Sequence, residues 1–137
     1  MSVLIWRLLI DFGLVILIWM IQLIVYPSFV RFTEKDLMGW HSSYSQRITI
    51  IVLPLMVSQL GLIMWQIVTV QSFYSLGSAL LVSVVWAFTF FQAVPLHNKI
   101  QNGVDVKQSV QRLVKANWNR TIIWTLLFIG SLLKVIL

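Results

Sequence analysis

The sequence predicts an all-α integral membrane protein, a four-helix bundle whose short structured connections lie on the cytoplasmic side. The 137 residues are 59% hydrophobic and 10% charged, with a mean hydropathy of +0.90, values that are typical of membrane proteins. Four apolar runs each approach the length of about 20 residues that a helix needs to cross the hydrocarbon core. Because hydrocarbon offers no partner to backbone polar groups, these runs are expected to be helical. Their lack of alternation excludes a transmembrane barrel.

The spans are predicted at about residues 3–25, 48–70, 76–94 and 118–137 of a single domain that comprises residues 1–137. The first run contains Asp11 and lacks a small-residue cleavage site, so we expect it to be retained rather than removed as a signal peptide. Before the second span, Thr33 is suited to cap a helix that begins at Glu34 and continues into the span.

Residues 105–116 place apolar and basic side chains on opposite faces at helical spacing. This pattern predicts a separate amphipathic helix that lies along the membrane interface before the fourth span.

The basic residues predict the orientation. Eight of the ten Lys and Arg residues flank the first and third connections, whereas only Arg7 and Lys134 lie on the other side. Positively charged connections stay in the cytoplasm, so both termini are expected outside. Since orientation accounts for the net charge of +6, no nucleic-acid partner is expected, and the lipid bilayer is the expected partner of the apolar runs.

Several chemistries are excluded by composition. Without cysteine, disulfides, iron–sulfur clusters and Cys-ligated zinc are impossible. Two histidines and four acidic residues, three of the acids in the connections, do not make a hydrolytic zinc or di-iron site. We therefore expect no metal and no cofactor. The one alternative is haem, since His41 and His97 lie at similar depth and haem takes axial imidazoles.

In this topology all four helices bring polar side chains to the cytoplasmic end of the bundle, where they are expected to form a pocket. A kink at Pro95 would turn the residues that follow it toward the axis. The candidate catalytic groups are His41 and His97 as acid or base, Arg47 and Arg120 as anion holders, and Tyr44. The candidate substrate-binding residues are Trp19, Gln22, Tyr26, Phe91, Gln92, Asn98, Asn117, Trp118 and Trp124.

Simpler explanations exist for the same residues. Tyr, Trp and Arg at span ends anchor helices at the interface, and glutamines hydrogen-bond between helices. The convergence favours binding or oxidation of an aromatic or quinone-like lipophilic molecule. The alternatives are a haem-binding membrane subunit and a non-catalytic subunit that binds lipid or protein. The apolar outer faces are compatible with a homo-oligomer or with a lipid coat.

Asp11 stands inside the outer part of the first span, where a carboxylate costs about 2.5–3.5 kcal/mol unless it is paired or neutral. Arg7 lies one helical turn away, and Lys134 lies on the outer part of the fourth span. These three residues predict a structural ion pair, with a proton relay or a gate as the alternative.

Four segments, "WMIQLIVYPSF", "WHSSYSQR", "FFQAVPLHNKI" and "LVKANWNRTIIW", resemble a widespread family of small, uncharacterised bacterial four-helix membrane proteins. The resemblance covers nearly the whole chain and implies the bacterial inner membrane. More distantly, the Pro-Leu-x-Asn turn and the following Trp and Arg are similar to anthrone oxygenase-like proteins. That likeness implies cofactor-free oxidation of polyketide anthrones, with Asn98 and Arg120 in the pocket and Trp118 nearby. His97 falls within the turn, between Leu96 and Asn98.

Overall fold

A computed structural model describes residues 2–137, and within that range the chain forms four long helices and no strand. They are α1 (Val3–Arg31), α2 (Glu34–Thr69), α3 (Phe73–Gln101) and α4 (Val106–Ile136). The predicted all-α four-helix bundle is confirmed.

The short connections determine how the helices are arranged. They occupy residues 32–33, 70–72 and 102–105, and connections of this length make consecutive helices antiparallel neighbours. α1 packs between α2 and α4, and α3 packs against the same two helices from the opposite side. The bundle is thus a closed ring in which each helix has two neighbours.

The distribution of polarity is the reverse of that in a water-soluble protein. Ile50 and Phe91 are 73% and 81% exposed on the outer surface, whereas Arg7, Asp11 and Gln59 are at most 1% exposed in the interior. All four helices are long and apolar enough to cross a membrane. Apolar outer faces around a hydrogen-bonded polar interior are what a bundle surrounded by lipid requires.

α2 begins at the expected cap, where the Asp36 backbone N–H donates to Thr33 Oγ1 at 3.2 Å. It then continues without a break for 36 residues, through Pro54. At 1.5 Å per residue this helix is about 54 Å long, well above the roughly 30 Å of a hydrocarbon core. Part of this helix therefore extends beyond a bilayer core, and its first turns, which bury His41 and Tyr44, precede the predicted span at 48–70.

α4 differs from the prediction. Residues 105–116 do not form a separate interfacial helix, because Val106–Ile136 is one continuous helix. The apolar face of its first turns is buried in a cluster that includes Val110, Leu113 and Phe29. No proline or glycine interrupts these turns, and their apolar face packs against protein instead of lipid headgroups.

α1 and α3 each widen into one π-helical stretch directly before a proline-containing turn. The wide segments are Ile21–Val25 before Pro27 and Thr89–Ala93 before Pro95, and the amide after each bonds the carbonyl five residues back. A proline ring clashes with the carbonyl four residues earlier and offers it no N–H. The wide turn accommodates that defect and rotates the helical face that follows.

Candidate functional site

A cavity of about 450 Å³ lies mainly between α2 and α3. Along α2 it extends from His41 to Met56, which corresponds to about 22 Å of helix. The end near His41 is polar, whereas the far end is lined by apolar side chains that include Leu14, Ile18 and Met56. The cavity is therefore elongated, with one polar and one apolar end.

Side chains from all four helices form a chain of hydrogen bonds at the polar end. Arg120 Nη2 donates to the Tyr26 hydroxyl oxygen at 3.3 Å, and that hydroxyl lies 2.9 Å from His97 Nε2. His97 Nδ1 lies 2.7 Å from His41 Nε2, and His41 Nδ1 lies 2.9 Å from Gln101 Oε1. The two imidazoles thus use all four of their ring nitrogens.

The chemistry of the two ends gives this chain a direction. Gln101 Nε2 donates to the Met38 carbonyl at 3.5 Å, so Gln101 Oε1 accepts and His41 carries its hydrogen on Nδ1. At the other end arginine can only donate, so Tyr26 accepts from Arg120 and donates its own hydrogen to His97. Each donor then meets an acceptor while both imidazoles are neutral.

Arg120 is held by neutral oxygens. Asn117 Oδ1 accepts from its Nε at 3.0 Å and from its Nη2 at 2.8 Å, and Thr89 Oγ1 accepts from its Nη1 at 3.3 Å. The guanidinium also lies 5.7 Å from the centre of the Trp124 ring. Within residues 2–137 the only salt bridge is between other residues, so the positive charge of Arg120 has no carboxylate partner. An anionic group in the cavity would be stabilised by it.

Two buried donors at the cavity wall have no partner. The Tyr44 hydroxyl and the Trp86 indole N–H make no hydrogen bond within the described range, and both residues line the cavity. Tyr44 is only 8% exposed. A buried donor without an acceptor costs about 1–3 kcal/mol.

Many of the predicted site residues come together here. The following line the cavity: Tyr26, His41, Tyr44, His97, Asn98, Arg120 and Trp124. Gln22 and Asn117 lie behind the wall, where Asn117 Nδ2 donates to Gln22 Oε1 at 2.8 Å. Gln22 holds Asn117 in place, and Asn117 in turn holds Arg120.

Other predicted residues do not line the cavity. Arg47 is exposed on the face of α2 next to the buried stripe, and Phe91 is 81% exposed on the outer surface. Gln92 is bonded to Asn119 instead. These predictions placed the side chains by depth, but the direction in which a side chain points depends on the helix face.

Trp19 and Trp118 also lie outside the cavity. Their rings pack edge to face with centres 5.6 Å apart, across the outer surface of α1 and α4. The Trp19 indole N–H donates to Thr125 Oγ1 at 3.0 Å. This pair joins two helices and does not bind anything in the cavity.

The sequence prediction missed Gln101, Thr89 and Trp86. Gln101 follows His97 by four residues, and this spacing puts both side chains on one face of α3. The sequence could therefore have identified Gln101 as a site residue. Thr89 and Trp86 resemble ordinary residues of an apolar span, and nothing in the sequence distinguishes them.

A second polar network is buried toward the other end of the bundle. Arg7 Nε donates to Asp11 Oδ2 at 3.0 Å, its Nη1 to Gln66 Oε1 at 2.7 Å and its Nη2 to Ser78 Oγ at 3.0 Å. Gln59 Nε2 donates to the other Asp11 oxygen at 2.7 Å. The charge of Arg7 is therefore compensated inside the bundle.

Lys134, predicted to join this ion pair, does not contact Asp11. Its ammonium lies 5.9 Å from the centre of the Tyr74 ring, and no salt bridge involving it is found within residues 2–137. The network instead reaches the cavity through Trp124, whose indole N–H donates to Gln59 Oε1 at 3.1 Å.

The two histidines do not fit axial ligation of haem. Their nitrogens are 2.7 Å apart, and the rings stack with centres 4.9 Å apart and planes 27° apart. An iron between two axial imidazoles separates the ligating nitrogens by about twice a metal–nitrogen bond of roughly 2 Å. Within the described residues, no three His, Asp or Glu side chains are grouped to hold a metal ion.

The chain matches no protein-family model, no curated protein and no solved structure. The resemblance to the bacterial four-helix family and to anthrone oxygenase-like proteins stays a prediction that rests on the four sequence segments.

Proposed function

We propose that the cavity binds a flat, lipophilic molecule that carries an oxygen function at one end, such as a phenolic or quinone-like compound. The observation that carries this proposal is Tyr44, a residue of the cavity wall whose buried hydroxyl makes no hydrogen bond within the described range. Arg120 lines the same cavity without a carboxylate partner. Together they offer a hydrogen bond and a positive charge to one ligand oxygen.

The size and the polarity of the cavity support this ligand class. Small-molecule sites are typically about 300–1,000 Å³ and mostly apolar, with a few polar groups that fix orientation. A volume of about 450 Å³ with polar groups at one end suits a ring system with a hydroxyl or carbonyl group. Its apolar part would lie along Leu14, Ile18 and Met56.

The ligand would enter from the bilayer. Leu53, Phe90 and Val94 line the cavity and are also 49%, 55% and 40% exposed on the outer surface. They mark an opening between α2 and α3 on an apolar side of the bundle. In the proposed setting this side faces the lipid of a bacterial inner membrane, with the first and third connections cytoplasmic, as the charge asymmetry supports.

Oxidation of the bound molecule, with dioxygen as the oxidant, is the finer proposal. Cofactor-free oxidation, which the resemblance implies, begins with removal of a proton from the substrate. Tyr26 could take this proton, because its own proton can pass to the neighbouring His97. Arg120, which also contacts Tyr26, would stabilise the resulting anion. Binding does not depend on this reaction.

The test is to purify the protein in mild detergent and to identify by mass spectrometry what copurifies. We expect a phenolic or quinone-like compound, whose occupancy falls about tenfold in Tyr44→Phe through loss of one hydrogen bond. Phe91→Leu, on the exposed face, is the control and should leave occupancy unchanged. Phospholipid alone, retained equally by Tyr44→Phe, would favour the non-catalytic lipid-binding alternative.

A further inference from the structure

We infer that Tyr26, His97 and His41 form a proton relay between a hydroxyl group in the cavity and the water at the Gln101 end of the bundle. The inference rests on the proposed function, because it assigns a role to the bound molecule. It narrows the ligand to compounds whose hydroxyl group is weakly acidic.

The continuity of the hydrogen bonds is the first argument. The three links are 2.9 Å, 2.7 Å and 2.9 Å, from the Tyr26 oxygen through both imidazoles to Gln101 Oε1. A histidine that only fills space or caps a helix needs one ring nitrogen. Here each imidazole accepts on Nε2 and donates from Nδ1, which is what proton transfer through a ring requires.

The second argument is the place where the chain of hydrogen bonds ends. Tyr26 is 2% exposed and His41 is 1% exposed, whereas Gln101 is exposed in the last turn of α3. The chain therefore leads from a buried cavity wall to the rim of the bundle. Both histidines of the sequence lie on it.

One transfer can be written with its atoms balanced. The ligand O–H bond breaks and its proton goes to the Tyr26 oxygen, while the Tyr26 proton goes to His97 Nε2. The proton on His97 Nδ1 moves to His41 Nε2, and the proton on His41 Nδ1 is released by way of Gln101 Oε1, its hydrogen-bond acceptor, to water at the exposed rim. The electron pair stays on the ligand oxygen, so no oxidant is needed. Transfer in the opposite direction restores the original tautomers.

The charges around the cavity indicate which ligands can use the relay. Loss of a proton leaves a negative oxygen, which Arg120 and the free Tyr44 hydroxyl can stabilise. Phenols, naphthols, hydroquinones and enols lose such a proton readily, whereas an ester lipid has no hydroxyl of this kind. We therefore assign the site to hydroxylated aromatic or enolic compounds.

The relay geometry can be tested without a ligand. Because the chain has only two histidines, protein labelled with ¹⁵N-histidine gives two imidazole spectra. We expect both rings as neutral Nδ1–H tautomers, and a nitrogen–nitrogen coupling through the hydrogen bond between them. The coupling should vanish in His41→Gln and persist in Phe91→Leu. An Nε2–H tautomer in either ring, or no coupling in the wild type, would overturn the proposed direction.

Transfer can be tested with 2-naphthol, an aromatic hydroxyl compound that emits at different wavelengths as naphthol and as naphtholate. Wild-type protein in nanodiscs should show saturable quenching of tryptophan fluorescence and, on excitation of the probe, naphtholate emission. In His97→Gln and His41→Gln, formation of naphtholate should slow by about 100-fold while the quenching persists.

The outcomes separate the two proposals. Binding with unchanged naphtholate formation in both histidine variants overturns the relay and leaves the binding site. Absence of saturable quenching in wild type overturns the binding proposal for this ligand class, and with it the assigned role of the relay. Tyr44→Phe should weaken binding yet keep naphtholate formation in the bound fraction.

Discussion

Arg7 and Arg120 are both buried, but they are compensated in different ways. Arg7 donates to the Asp11 carboxylate and to two neutral oxygens. Arg120 donates only to neutral oxygens, from Asn117, Thr89 and Tyr26. The charge of an arginine that is paired with a carboxylate is neutralised, whereas an arginine without a carboxylate can attract an anion. The first arginine fits a structural role and the second a binding role.

Removing the Asp11 charge should therefore destabilise the protein. In Asp11→Asn the guanidinium of Arg7 stays buried without a counter-ion, at a cost of about 3–5 kcal/mol. The midpoint of thermal unfolding in detergent, followed by circular dichroism, measures the effect.

Lys134→Met is the control, because Lys134 has no contact with Asp11 and is exposed. If this variant loses as much stability as Asp11→Asn, the ion pair does not act as described.

The two cavity tyrosines should respond differently to loss of their hydroxyl groups. Tyr26→Phe removes the partner of both His97 and Arg120 and should cost about 1–3 kcal/mol. Tyr44→Phe removes a hydroxyl that has no partner and should leave the ligand-free protein as stable as the wild type, or more so. Chemical denaturation of ligand-free protein in one detergent compares them. Equal losses would mean that Tyr44 has a partner after all.

The depth of most site residues in the bundle could be predicted from the sequence, but the direction in which their side chains point could not. His41, Tyr44, His97 and Arg120 line the cavity, as expected from their residue types near the span ends. Phe91 was expected beside them, yet it lies within the wide turn of α3 and points outward. A π-helical turn changes the face on which every later residue lies, and the sequence does not reveal where it occurs.

The wide turns before Pro27 and Pro95 position much of the site. Tyr26 follows the first and His97 follows the second, and their side chains meet at 2.9 Å. A regular α-helix through either segment would rotate these residues by about 100°, one residue at 3.6 per turn. π-helical turns of this kind often occur at functional sites.

Pro95→Ala should weaken this arrangement. Alanine restores an N–H that can bond the Phe91 carbonyl, which favours a regular α-helix through the segment. We expect His97 to rotate away from Tyr26 and His41, with loss of the nitrogen–nitrogen coupling between the two histidines. Pro54→Ala is a matched control, since Pro54 lies within α2, which is α-helical around it. An unchanged coupling in Pro95→Ala would show that packing alone maintains the wide turn.

The number and type of the helices followed from composition and run length, and the bundle agrees with that prediction. The extent of the helices followed only in part. The start of α2 at Glu34 was predicted from its cap, but α4 begins several turns before its predicted span without a break, since the apolar stripe of its first turns is buried in the bundle. Hydropathy identifies the segment that needs lipid but does not report where a helix stops.

The orientation predicted from the basic residues can be measured directly. The chain has no cysteine, so a single cysteine at exposed Gln71 or Gln108 is a unique label site. In intact bacterial spheroplasts, a membrane-impermeant maleimide should label Gln71→Cys and not Gln108→Cys. Permeabilised cells, in which both should react, provide the control. The opposite labelling pattern would reverse the assigned topology.

If the proposed ligand enters through the opening between α2 and α3, its effective concentration is the concentration in the lipid and not that in the buffer. Leu53, Phe90 and Val94 connect the cavity to the outer apolar surface, so a ligand that enters there is first dissolved in the bilayer. Each added methylene raises partition into lipid by about 0.8 kcal/mol, whether or not it touches the protein. Dose–response curves for a homologous series should therefore coincide when concentration is expressed per mole of lipid, and diverge when it is expressed per litre of buffer.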